Sequence, residues 1–152
     1  MLIRIETEVR PTEDERKVLK ALKRLFNAEF QLIERGEGWK SFVAECSDKS
    51  CLEPLRAAII GKALSSTFKS MLRSLIRGSD FLIFKLNKQA AFAGVPSFAE
   101  EDVDSPMGPI TVEVTGSKEE LIELINWLVG EESGSDIQRD TNRRTEGEPL
   151  RS

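Results

Sequence analysis

The sequence contains no histidine and no tyrosine. The first absence removes the commonest general base, the commonest zinc ligand and every Ser-His or Cys-His nucleophile pair. Any chemistry would fall to carboxylates, lysines or thiols. Lys88 with Asp102 or Asp104 is the one combination that can be nominated, and nothing in the spacing fixes their proximity, so an enzyme is not expected. Two cysteines, Cys46 and Cys51, are too few for a disulfide framework, and without a second pair they do not suit zinc. Each is expected to be a packing residue or an idle surface thiol in a reducing cytoplasm. No apolar run approaches the roughly eighteen residues of a membrane span. The opening MLIRIETEVR alternates and carries acids, unlike a signal or transit peptide. Asp102 and Asp104 lack the ligand spacing and glycine of a calcium loop and read as a solvated acidic loop, so neither metal nor cofactor is expected.

What the chain does have is a legible alternation of periods. Ile3, Ile5, Thr7 and Val9 alternate with charged residues, as in a strand with one buried face. Thr12 with Glu15 forms a capping box before a helix whose stripe is Val18, Leu19, Leu22, Leu25 and Phe26. Phe30 and Leu32 suggest a second strand, Gly36 and Gly38 a turn, and Trp39 to Cys46 a third strand. Ser50 and Glu53 open a helix in which Gly61 marks a kink, and a further helix with Phe68, Met71, Leu72, Leu75 and Ile76 stops at Gly78. Phe81 to Leu86 is apolar on both faces, as expected of the central strand. Asn87-Lys88-Gln89 reads as a turn into an extended piece from Ala91 to Phe98. Ile110, Val112 and Val114 give a last strand, and Ser117 with Glu120 caps a helix ending at Gly130. The order β-α-β-β-α-α-β-β-β-α predicts an α+β two-layer sandwich, with a mixed, mostly antiparallel sheet and helices on one face. One domain over residues 1–130 is expected, with a flexible polar tail over 131–152.

The net charge of −4 conceals an uneven distribution. From Pro54 to Ala99 there are seven cations and one acid, Asp80. Lys69, Arg73 and Arg77 repeat every four residues, and Lys62 joins them if the helix continues through Gly61. Such a row could follow a phosphate backbone, whereas an ordinary solvated face usually mixes signs. Lys85, Asn87, Lys88 and Gln89 surround a turn whose amides could hold an anion, although most such turns only reverse the chain. The outward residues of the first and last strands include Glu6, Glu8 and Glu113, which repel phosphates, so RNA would be met by helix and loop rather than by the sheet.

Leu86-Asn87-Lys88-Gln89-Ala90-Ala91-Phe92 and Ser105-Pro106-Met107-Gly108-Pro109-Ile110 resemble the signature of a small, uncharacterised archaeal protein family commonly labelled RNA-binding. The resemblance extends from the opening strand and Pro11-Thr12-Glu13-Asp14 to the closing helix; the family has leucine where Met107 stands. It implies a two-layer sandwich similar to the large-subunit ribosomal protein that contacts the small ribosomal RNA. The leading expectation is therefore an RNA-binding accessory protein in translation or RNA processing, contacting phosphates through Lys62, Lys69, Arg73 and Arg77 with the nearby turn. The alternative is a homodimeric or protein-interaction module, because a strand apolar on both faces needs a second cover.

Overall fold

The computed structural model of the chain describes residues 1–78, 80–99 and 108–131. The elements are β1 (Leu2–Val9), α1 (Glu15–Leu25), β2 (Gln31–Gly36), β3 (Trp39–Cys46), a 3-10 turn (Lys49–Leu52), α2 (Glu53–Gly61), α3 (Ser65–Leu75), β4 (Ile76–Arg77), β5 (Phe81–Asn87), α4 (Lys88–Phe92), β6 (Pro109–Thr115) and α5 (Lys118–Leu128). The strands form a sheet in the order β2-β3-β1-β6-β5-β4, and every described pairing is antiparallel. Alternation puts Ile3, Ile5, Val9, Ile110, Val112, Val114, Leu82, Phe84 and Leu86 on the face that the helices cover. Leu22 and Leu25 of α1, Leu55 and Ile59 of α2, Phe68 and Leu72 of α3 and Leu121 and Ile125 of α5 close the core from above. The α+β two-layer expectation holds. Among the described residues no helix is long and apolar enough to cross a membrane.

Local structure departs from the expected elements in several places, each with a physical cause. Helix α1 starts at Glu15, and its cap is Asp14, whose carboxylate accepts from the Arg16 amide, rather than Thr12. Asp48 likewise caps the 3-10 turn through the Ser50 amide, so Ser50 and Glu53 form no box. The box at Ser117 and Glu120 is present in both directions. Gly61 ends α2 rather than kinking it, and Ala63 turns the chain at φ 58° before α3. Helix α3 stops at Leu75, because Ile76 and Arg77 pair with Leu82 and Phe81 as an edge strand.

The Phe81–Asn87 strand is second from the edge, and β1 and β6 occupy the centre. The expected strand over Ala91–Phe98 is largely a helix and loop. Asn87 accepts from the Ala90 amide and launches α4, an alanine-rich turn that favours helix. Among the described residues of this stretch, 97–99 return alongside β5, through Asn87 N–H to the Ser97 carbonyl and Ala99 N–H to the Lys85 carbonyl. Cys46 and Cys51 are neither idle nor separate: they form a disulfide that ties the end of β3 to the 3-10 turn. The acidic loop at Glu100–Asp104, the segment Ser105–Met107 and the tail from residue 132 onward lie outside the described residues.

Candidate nucleic-acid interface

The structure disperses the row of cations expected on one helix. Lys62 is exposed at the C-cap of α2, and the break at Ala63 separates it from α3. Lys69 and Arg73 do share α3, but both reach toward α5 and its end. The Lys69 ammonium donates to both carboxylate oxygens of Glu131, at 2.8 and 3.0 Å, and Arg73 donates to Asn126 Oδ1 at 3.5 Å. Arg77 belongs to β4, not to the helix. Lys85 is exposed on the sheet face away from the helices, in register with Thr111 and, across β6, Glu6.

The Asn87–Gln89 segment divides between inside and outside. Asn87 is spent on capping α4. Lys88 is fully buried, and its three protons are satisfied by the Glu8 carbonyl at 2.6 Å and by both Glu13 carboxylate oxygens at 3.2 Å. Burial pushes the Lys88 ammonium below its ordinary pKa even though Glu13 pulls the other way. Gln89 alone stays exposed. The convergence of Glu8, Glu13 and Lys88 brings β1, the Pro11–Asp14 stretch and the Leu86–Phe92 motif to one end of the sheet, where the Thr7 hydroxyl also donates to the Pro109 carbonyl. That end is held by polar contacts buried among packed elements, which suits a structural lock.

Among the described residues a denser row of cations lies elsewhere, on α1. Arg16, Lys17, Lys20, Lys23 and Arg24 are all exposed, and Glu15 is the one acid in the helix. At 3.6 residues per turn these five side chains fall within an arc of ~120°, opposite Val18, Leu22 and Leu25, and the row rises ~12 Å from Arg16 to Arg24. Among the described residues Lys17, Lys20, Lys23 and Arg24 have neither an ion pair nor a hydrogen bond to their side chains; Arg16 has only a 3.9 Å contact with Asp14. The same i, i+3, i+4 recurrence of like charge was available in the sequence between residues 16 and 24. The charge excess after Pro54 is spread over several elements, whereas that of α1 is confined to one helix.

Other faces carry the opposite sign or are closed. Helix α5 presents Glu119, Glu120 and Glu123. Arg56 and Lys49 pack on the Trp127 ring at 5.2 and 5.1 Å, and the Arg56 Nε donates to the Trp127 carbonyl. The sheet face away from the helices holds an Arg4–Glu6–Arg35 chain with Glu45 beside it. Leu2, Phe81 and Ile83 lie on that same face. Among the described residues no group of three His, Cys, Asp or Glu side chains is placed to hold a metal.

A family model described as RNA binding matches residues 2–116. A UPF0201 protein of Pyrobaculum neutrophilum is 38% identical over 128 residues, covering 84% of this chain and 88% of that protein. The chain belongs to the UPF0201 family. Another member, from Aeropyrum pernix, is 32% identical over 126 residues, covering 83% of each chain. The crystal structure of a UPF0201 protein from Methanococcus jannaschii superposes with a TM-score of 0.73 at 24% identity, covering 85% of this chain and 99% of that one. A second crystal structure, of an uncharacterised UPF0201 protein, gives 0.69 at 26% identity, with coverage of 87% and 95%. Together they show that the fold is that of the family, whose model carries a binding description and no catalytic one.

Proposed function

We propose that this UPF0201 protein binds RNA through the cationic face of α1, as an accessory protein in translation or RNA processing. The observation that carries the reading is the set of Lys17, Lys20, Lys23 and Arg24, exposed side by side and unpartnered among the described residues. Cations already neutralised by a neighbour have less to offer a phosphate, and Lys69 is in that position. Lys62 and Gln89 remain available at the surface as outlying contacts. The RNA-binding description of the family agrees with this chemistry. Backbone contacts of this kind tolerate sequence and weaken steeply with salt, because each neutralised phosphate releases a counterion.

Fluorescence anisotropy with labelled RNA at several salt concentrations tests the reading, using a Lys20→Glu/Lys23→Glu/Arg24→Glu variant beside Lys69→Glu/Arg73→Glu. Loss of three phosphate contacts lowers the slope of log K against log salt by about 2–3. The α3 variant has the smaller effect. Equal RNA affinity in wild type and the α1 variant would sink the proposal.

A second reading rests on the uncovered sheet face. Leu2 is 46% exposed there, and Phe81 and Ile83 are half-buried with no helix above them among the described residues. A second copy of the chain could cover this strip, leaving both α1 faces free. Sedimentation equilibrium of the purified protein distinguishes this arrangement from a monomer.

A further inference from the structure

Helix α4 packs against α1, and the two bound a cleft of about 350 Å³ lined by Thr12, Glu13, Asp14, Lys17, Val18 and Phe92. The volume falls at the lower end of small-ligand clefts, roughly 300–1,000 Å³. Its position matters more than its size. Lys17 belongs both to the cleft and to the cationic face of α1. Arg24, two turns further along α1, lies over the other end of α4: a Cβ placed on Gly94 would stand 3.3 Å from its guanidinium Nη1. Two cations of the proposed phosphate track therefore bracket a short helix that carries a half-buried aromatic ring, Phe92.

The inward residues of α4 are spent on holding it in place. Asn87 caps it, Lys88 anchors it to Glu13 and Glu8, and Ala91 is buried in the core. Gln89 is exposed, and Phe92, one turn further on, is packed in part against the core while it lines the cleft. At the mouth of the cleft Glu13 is occupied by Lys88, whereas Asp14 uses one carboxylate oxygen for its capping bond and the Thr12 hydroxyl is exposed. An aromatic face, adjacent cations and a hydrogen-bond acceptor are the three elements by which proteins hold an unstacked base of a single strand.

We propose that this cleft receives an unpaired nucleobase of an RNA strand whose phosphates lie along α1. The base stacks on Phe92, Lys17 and Arg24 hold the flanking phosphates, and Asp14 accepts from an exocyclic amino group. On the major-groove edge that acceptor favours adenine or cytosine, which present an amino donor there, over uracil, which presents only the O4 acceptor. The inference rests on the RNA-binding reading and adds a preference for single strands with amino-bearing bases.

Anisotropy titrations with labelled oligo(A), oligo(C), oligo(U) and a blunt RNA duplex test it in the full-length protein. Phe92→Leu keeps an apolar side chain but removes the stacking face, and Asp14→Asn keeps a competent helix cap but removes the carboxylate. The expected result is single-strand affinity at least about 5-fold weaker in Phe92→Leu, in line with a stacking contribution of roughly 1–3 kcal/mol per base. Duplex affinity stays unchanged in that variant. In Asp14→Asn the preference for oligo(A) and oligo(C) over oligo(U) narrows. If Phe92→Leu binds single strands as wild type does, while the α1 charge-reversal variant loses binding, the cleft proposal fails and the α1 reading stands. If wild type binds no RNA at low salt, both fail.

Discussion

Replacing Lys88 by methionine isolates the energetics of the buried polar lock, because methionine is also a long unbranched side chain but carries no charge. The ammonium is fully buried and Glu13 is only 10% exposed, so neither group has water to fall back on. In Lys88→Met the Glu13 carboxylate keeps the Arg10 amide at 2.9 Å but loses its counter-charge, and the Glu8 carbonyl loses this donor. Breaking a buried ion pair by removing one partner costs about 3–5 kcal/mol. With a urea slope of roughly 1–3 kcal/mol per molar, the unfolding midpoint falls by about 2 M. Against a typical domain stability of roughly 5–15 kcal/mol this is a large fraction. The double variant Lys88→Met/Glu13→Gln removes the stranded charge while retaining an acceptor for the Arg10 amide, so it recovers a substantial part of the loss. Far-UV circular dichroism against urea reads all three proteins and Glu13→Gln. A midpoint shift in Lys88→Met below about 0.5 M, or a double variant no more stable than the single one, would refute the account.

The same lysine gives a pH dependence of defined sign. Its folded pKa lies below the ordinary 10.5, so in the alkaline window up to that value the unfolded chain binds more protons, and wild-type stability rises relative to Lys88→Met; urea midpoints at pH 8 and pH 10.5 measure the difference. Reducing the Cys46–Cys51 disulfide releases a short loop and lowers stability by about 2 kcal/mol on the chain-entropy account, readable as a lower thermal midpoint with a phosphine reductant. Ser117→Ala removes the hydroxyl that accepts the Glu120 amide and costs about 1 kcal/mol in denaturant unfolding. The Ser117 backbone N–H, followed by the N-terminal ammonium, holds the Glu120 carboxyl below its ordinary pKa, so its stabilisation is present above pH 4.5 and is lost as pH falls through the folded value. Alanine at 117 keeps that N–H, so Glu120→Gln is the variant whose acid titration shows a weaker dependence there. Glu45→Gln/Glu113→Gln, on the sheet face away from α1, leaves RNA affinity within about twofold at physiological salt, where charges separated by more than about 8 Å are largely screened.

The layer architecture was legible because its determinants are local and periodic. Ile3, Ile5 and Val9, and again Ile110, Val112 and Val114, alternate at the strand period, and Leu22, Leu25, Leu121 and Ile125 recur at the helical one. What escaped depended on partners distant in sequence. Ile76 continues an apolar helical stripe, yet its backbone is claimed by β5, which lies beyond a glycine turn. Lys88 sits in a polar stretch typical of a surface turn, and only the approach of Glu13, 75 positions earlier, permits its burial. The two cysteines are five positions apart, a separation equally compatible with bonded and free thiols, and the geometry of β3 and the following turn decides between them. Lys69 looked available because its neutralising partner, Glu131, lies 62 residues away. The α1 face needed no tertiary information at all: its five cations and its apolar stripe are both visible at helical spacing in the sequence.

An overall charge of −4 does not conflict with a polyanion as partner once the charges are assigned to faces. The sheet side mixes Glu6, Glu8, Glu45 and Glu113 with Arg4, Arg35 and Lys85, and α5 holds Glu119, Glu120 and Glu123, whereas the cations of α1 are gathered on a single arc. Stacked layers of a domain stand roughly 10 Å apart. That distance exceeds the screening length of about 8 Å at physiological ionic strength, so a phosphate above α1 feels the helix and little of the sheet beneath. Acidic faces elsewhere then act on orientation. On the α1 proposal a strand approaching α5 is repelled, the mixed charges of the sheet face offer little net attraction, and a strand approaching α1 is attracted, so the charge pattern favours one docking geometry. The ion pairs of Lys69 with Glu131 and Lys88 with Glu13 fit this division, since one ties α3 to the end of α5 and the other ties α4 to the Pro11–Asp14 stretch, so neither cation stands with the α1 row.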